Sequence, residues 1–170
     1  MQEMLIYGVS FDLVGKQPIV LLKTADGNKF LPIWIGHAEA AAILMKLQSQ
    51  TSPRPMTHDL FSDVLEQLGA QVVRITVTEL RENTFYAQIT VQQDGQELEV
   101  DSRPSDAIAL AIRAEAPIFA ADRVIEESAI EFEGEEVNEE QLEAEVSRFR
   151  NFLDEVTPDQ FAEIEPDEDD

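Results

Sequence analysis

From residue 5 the chain alternates apolar and polar positions: Leu5, Tyr7, Val9, Phe11 and Leu13 fall on one side. That period of two predicts a half-buried strand. A short apolar run over residues 18–24 ends before Asp26-Gly27, and another extends from Phe30 to Ile35. Asp-Gly between two such runs predicts a hairpin, because glycine readily takes the positive φ of tight hairpin turns. Gly36 closes the strand, and Ala38–Gln48 consists almost wholly of strong helix formers. Ser52-Pro53-Arg54-Pro55 reads as a connection. Thr57 is the predicted N-cap of a second helix, with Leu60, Phe61, Val64, Leu65 and Leu68 as its buried stripe and Gly69 near its end.

The same order then repeats. Residues 72–80 alternate through Val73, Ile75 and Val77, residues 85–91 through Phe85, Ala87, Ile89 and Val91, and Asp94-Gly95 turns the chain into Leu98 and Val100. Ser102-Arg103-Pro104-Ser105-Asp106 opens a helix over Ala107–Arg113; the apolar Pro117–Ala120 leads to a short helix near Asp122–Glu127. Glu39-Ala40-x-Ala42-Ile43 aligns with Asp106-Ala107-x-Ala109-Leu110 at an offset of 67 residues. The pattern predicts an α+β fold: a mixed, largely antiparallel sheet built from a duplicated three-strand, two-helix unit. Neither unit closes a core by itself, so the two must share one sheet or pack sheet to sheet.

A domain over residues 1–130 is therefore followed by something different. Asn138-Glu139-Glu140-Gln141 has the form of a capping box. Leu142, Val146, Phe149, Leu153 and Val156 follow at spacings of 4, 3, 4 and 3. They predict an amphipathic helix in an acidic helical segment, residues 131–164, that docks on its own domain or on a second copy. Residues 165–170 read as a disordered acidic tail.

Charge follows the same boundary. The chain has 170 residues and a formal net charge of −23. Residues 1–123 carry 16 acids and 10 bases, whereas residues 124–170 carry 19 acids and two bases, Arg148 and Arg150. The domain is thus only mildly acidic, and its charge does not exclude an anionic partner; the acidic segment would limit non-specific nucleic-acid binding. With 44 % hydrophobic residues and nine Phe, the chain can fill a core. No apolar run approaches the roughly 20 residues of a membrane helix, and Met1-Gln2-Glu3-Met4 lacks the basic start of a signal peptide. The absence of cysteine excludes disulfides, thiolate metal sites and cysteine nucleophiles. These features lead to the expectation of a cytoplasmic protein with no membrane association.

Two segments concentrate polar chemistry, Arg54–Asp59 and Ser102–Asp106. Each brings an arginine, a proline, a hydroxyl and an aspartate to a helix N-terminus, where free amides and the dipole favour an anion. Arg54, Arg103 and Ser105 are the candidate phosphate ligands, since a guanidinium fork can hold two phosphate oxygens. His58 is the candidate proton carrier near neutral pH, with Asp59 and Asp106 as its catalytic companions. Glu39, Asp59 and Asp106 are candidate oxygen ligands for a divalent cation such as Mg²⁺. Every one of these residues has a structural reading as well. Thr57, Ser102 and Ser105 can cap helices, the three carboxylates suit the first turn of a helix, and the arginines can pair with those carboxylates across the repeat. His37 reads as a solvent-facing cap, and Trp34 as a core or interface residue.

Leu31-Pro32-Ile33-Trp34-Ile35-Gly36 followed by Glu39-Ala40, then Arg54–Leu60, then Ser102–Ala111, together resemble the bifunctional nuclease domain family of bacteria and plants. The resemblance covers residues 5–130. It implies a mixed α/β architecture with a duplicated unit, and an activity toward both DNA and RNA. The site residues above come from the chemistry of the segments and their place in these motifs; no catalytic assignment is carried over from the family. The leading expectation is a nuclease, assembled as a homodimer or larger oligomer. The alternative is a non-catalytic module in which the same segments form an anion cradle, a partner-binding surface or structural caps.

Overall fold

The computed structural model describes residues 1–12 and 15–131. Twelve elements follow one another: β1 (Gln2–Asp12), β2 (Gln17–Thr24), β3 (Lys29–Trp34), α1 (His37–Leu47), α2 (Thr57–Gln67), β4 (Ala70–Arg81), β5 (Thr84–Gln93), β6 (Gln96–Ser102), α3 (Pro104–Ala114), β7 (Ile118–Ala120), α4 (Asp122–Ser128) and β8 (Ile130–Glu131). The strands form one eight-stranded sheet in the order β6-β5-β4-β7-β1-β2-β3-β8. All neighbours are antiparallel except β4 and β7. The fold is mixed α+β, as the patterning predicts.

The duplication is visible in this order. Two three-strand meanders, β1-β2-β3 and β4-β5-β6, lie on opposite sides of the three-residue β7, and each is followed by a helix, α1 or α3. The halves therefore share one sheet. The predicted helix after residue 138 and the acidic tail lie outside the described residues.

Helix α3 holds the centre. Pro104, Ser105 and Ala107–Ala111 are all buried, because alternating alanines let α3 approach α1, α2, β4 and β5 closely. Ile108 and Leu110 fill the core with Ile43 and Leu44 of α1 and with Val20, Leu22, Leu31, Ile33, Ile75 and Val77 from the strands. A helix buried on nearly every side has this composition for a physical reason: no polar face is needed. The Asp94-Gly95 turn has φ of 50° and 77°, the left-handed pair that a two-residue hairpin requires. At Asp26-Gly27 the loop is longer, and neither residue takes positive φ.

Two expected faces differ. The register of β1 shifts between Ile6 and Gly8, and the extra residue in such a bulge reverses which side chains point inward. Met4 is therefore buried and Leu5 exposed, while Val9 beyond the bulge is buried as its alternation predicts. Helix α2 has no fully buried residue. It lies against α3 and β4, and only Leu65 of the predicted stripe packs on the core. Leu60, Phe61, Val64 and Leu68 face outward, because α3 already closes the layer beneath.

Candidate functional site

The first turns of α1, α2 and α3 converge on one cleft of about 460 Å³. Ala38, Ala42, Met45, Met56 and Phe61 form its apolar walls, and Glu39, His58, Arg103 and Asp106 its polar end. Concave apolar space with a few converging polar groups is the usual make-up of a ligand site.

Arg103 stands at the N-cap of α3, where its backbone is extended (φ −69°, ψ 142°) and Pro104 begins the helix. Its Nη2 donates to Glu39 Oε1 at 2.6 Å, and its Nε to Asp106 Oδ2 at 3.0 Å. Bonding to Glu39 first, and to Asp106 second, raises its pKa above the usual guanidinium value. The other oxygen of Asp106 meets His58 Nε2 at 2.8 Å. Asp106 thus accepts from Arg103 on one oxygen and faces the imidazole with the other. The result is a continuous chain, Glu39–Arg103–Asp106–His58, drawn from three helices. His58 is 12 % exposed and Arg103 65 %, so the imidazole is held in the wall while the guanidinium faces solvent.

The repeat explains the geometry. Glu39 and Asp106 occupy the same first-turn position in α1 and α3, and the residue matching Arg103 in the first half is Gly36. The Glu39 carboxylate folds back over Gly36; a Cβ there would lie 2.2 Å from Oε2. Glycine thus leaves room for Glu39 to reach across to Arg103.

Asp59 does not join this group. Its Oδ2 accepts from the Met56 amide at 3.0 Å, and its Oδ1 from Arg113 Nε at 2.7 Å. Burial pushes its carboxyl upward, but the bonds to Arg113 and Met56 and the charges of Arg113 and Lys46 win, leaving it below the usual carboxylate value. Met56, not Thr57, is therefore the N-cap of α2, with Asp59 returning to its amide. Arg113 is only 6 % exposed, and it also donates to the carbonyls of Ala109 (2.8 Å) and Ala42 (3.1 Å). One guanidinium so ties α1, α2 and α3 together. No sequence motif marks Arg113; its one signal is a cation in the last turn of an otherwise apolar helix.

Of the remaining candidates, Arg54 is exposed outside the cleft and makes no ion pair among the described residues. Ser105 is buried in α3 and lines a second hollow on the far side of Arg103. Ser102 Oγ bonds the Arg103 carbonyl, so neither serine caps α3. His37 is not solvent-facing at its ring end: Nε2 is buried beside Phe11 without a hydrogen-bond partner. Trp34 is 49 % exposed. The three carboxylates suggested for a cation do not converge. Glu39 and Asp106 are turned onto Arg103 and Asp59 onto Arg113, and no group of three or more His, Asp or Glu side chains poised for a metal occurs among the described residues.

Residues 20–133 match the sequence model of the bifunctional nuclease domain. The chain belongs to that family. The match takes in α1, α2 and α3, and so every residue of the cleft described above. An uncharacterized protein of Mycobacterium tuberculosis (strain ATCC 25618 / H37Rv) is 37 % identical over 164 residues, 95 % of this chain and 98 % of that protein. Bifunctional nuclease 1 of Oryza sativa subsp. japonica is 29 % identical over 109 residues, 62 % of this chain and 33 % of the rice protein. Bifunctional nuclease 1 of Arabidopsis thaliana is 28 % identical over 105 residues, 59 % of this chain and 32 % of the plant protein. No helix among the described residues is long and apolar enough to cross a membrane.

Proposed function

We propose that the cleft between α1, α2 and α3 hydrolyses phosphodiester bonds of DNA or RNA, with His58 as general base. The observation that carries this reading is the His58–Asp106–Arg103–Glu39 chain at the rim of the cleft. Asp106 fixes the tautomer and orientation of His58, which leaves Nδ1 to take a proton from an attacking water. Asp106 then stabilises the imidazolium that results, which returns the proton to the leaving oxygen as the scissile P–O bond breaks. The exposed edge of Arg103 faces the charge that grows on the phosphate oxygens. Asp59 acts through Arg113 by anchoring the first turn of α2, on which His58 sits.

Purified protein is assayed on single-stranded DNA and RNA, with and without chelator, beside His58→Ala and Arg103→Ala variants. Loss of cleavage in both supports the assignment; unchanged cleavage by His58→Ala removes His58 from the reaction. One observation favours a second reading. Glu39 and Asp106 together outweigh the charge of Arg103, as they would in a structural clasp of a non-catalytic module that binds a partner. In that case Arg103→Ala lowers the melting temperature and there is no cleavage to lose.

We also infer a cytoplasmic protein assembled as a homodimer or larger oligomer. Met56, Leu60, Val64 and Leu68 recur every four residues on the exposed side of α2 and offer a self-complementary face. Sedimentation of Val64→Lys against the wild type tests the assembly.

A further inference from the structure

We propose that the hollow beside the cleft binds a nucleobase, and that the indole of Trp34 is its stacking platform. This rests on the reading of the cleft as a phosphodiester site, and it narrows the substrate to single strands with unpaired bases.

The hollow has a volume of about 360 Å³, within the usual range for a small-ligand site. It lies between the two halves of the repeat. Gln17 and Trp34, at the ends of β2 and β3, come from the first half; Asn83, Thr84 and Phe85, at the tip of the β4–β5 hairpin, come from the second. Arg103 lines both this hollow and the cleft. A phosphate at Arg103 would therefore border the cleft that holds His58 and the hollow that holds Trp34. Gln17, Asn83 and Thr84 are exposed polar side chains able to bond a base edge.

Electrostatics points the same way. Glu39 and Asp106 already neutralise Arg103, and residues 1–123 carry 16 acids against 10 bases. Release of counterions from phosphate, which supplies most of the affinity of basic proteins, is therefore a weak resource here. A ligand held by its bases avoids that limit, because stacking on an aromatic ring needs no positive charge. A large aromatic ring, half exposed and lining a hollow of mixed apolar and polar side chains, is the feature such a ligand requires. Duplex DNA keeps its bases stacked inside and cannot use it.

Trp34 is the sole tryptophan of the chain, so intrinsic fluorescence reports on this hollow alone. The full chain is titrated with a phosphorothioate-linked thymidine tetranucleotide and with an abasic tetramer of the same backbone. The expected result is quenching of Trp34 emission by the base-bearing strand only. Read by titration calorimetry, since the variants lack the fluorophore, Trp34→Ala should weaken that strand about tenfold and leave the abasic one unchanged, while Trp34→Phe restores most of the affinity. Raising salt from about 50 to 200 mM should cost no more than about threefold, the change for a single phosphate contact. Equal quenching by the abasic strand, no binding of either strand, or full affinity in Trp34→Ala overturns the proposal. Should Trp34→Ala fail to fold, wild-type quenching and the Phe variant decide. Cleavage without base-selective quenching removes the subsite alone; base-selective quenching without cleavage removes the nuclease reading alone.

Discussion

Glu39 and Asp106, 67 residues apart and equivalent in the internal repeat, grip the same guanidinium, that of Arg103. The two halves thus meet through an asymmetry at one position. Where the second half has Arg103, the first has Gly36, and the missing side chain is what lets Glu39 reach across.

Gly36→Ala should therefore act through Glu39. The backbone at Gly36 (φ −72°, ψ 157°) accepts alanine, so the new Cβ strains no dihedral but displaces the carboxylate. Both Gly36→Ala and Glu39→Gln should lower activity, and the double variant should be little worse than either alone. Fully additive losses in a double-mutant cycle would show that the two positions are independent.

Arg103 should separate stability from catalysis. Its guanidinium is 65 % exposed, and ion pairs with one partner in solvent contribute about 1 kcal/mol each. Arg103→Ala should lower the melting temperature by only a few degrees and cleavage by about 100-fold or more. Arg103→Lys should not restore cleavage, because an ammonium cannot present two fixed donors to two carboxylates and a phosphate. A large fall in melting temperature in an assay with no cleavage at all would identify the clasp as purely structural.

Asp106→Asn tests the tautomer of His58. The amide no longer anchors both Arg103 and the Nε2 proton, so Nδ1 loses its fixed role as acceptor. Cleavage should fall by about 100-fold or more with little change in substrate affinity. A rise in KM alone would mean that Asp106 serves binding.

Arg113→Met should be the most destabilising of these changes. It takes the guanidinium bonds from the carbonyls of Ala42 and Ala109, which keep their helical amide donors, and leaves Asp59 without its cation, at a cost of about 2 kcal/mol or more in urea unfolding. Asp59→Asn should cost less, since that carboxylate is partly exposed.

Asp59 also sets an acid limb. Its folded pKa lies below the ordinary value of 3.8, so the unfolded chain binds the proton more readily. The stability Asp59 contributes is then complete above the unfolded value and is lost as pH falls through the folded one. Urea midpoints between pH 3 and 7 should decline at the acid end in the wild type, and less steeply in Asp59→Asn. Parallel curves for the two proteins would remove Asp59 as a contributor.

Local pattern determined much of this protein. Alternation and short apolar runs placed the strands of both meanders, alanine-rich runs placed α1 and α3, Asp94-Gly95 made its tight turn, and the offset of 67 residues foretold a duplicated α+β sheet. These features depend on near neighbours and backbone geometry, which a sequence displays directly. The pairing of side chains did not follow from pattern. Asp59 and Asp106 look alike at the starts of two helices, yet one is taken by the buried Arg113 and the other by His58 and Arg103. The stripe of α2 has helical periodicity, yet it faces outward because α3 occupies the place beneath it. A single bulge at Tyr7 reversed the faces of β1 on its N-terminal side, where Met4 rather than Leu5 is buried. Each of these outcomes depends on which surfaces meet across tens of residues, so only packing in three dimensions decided them.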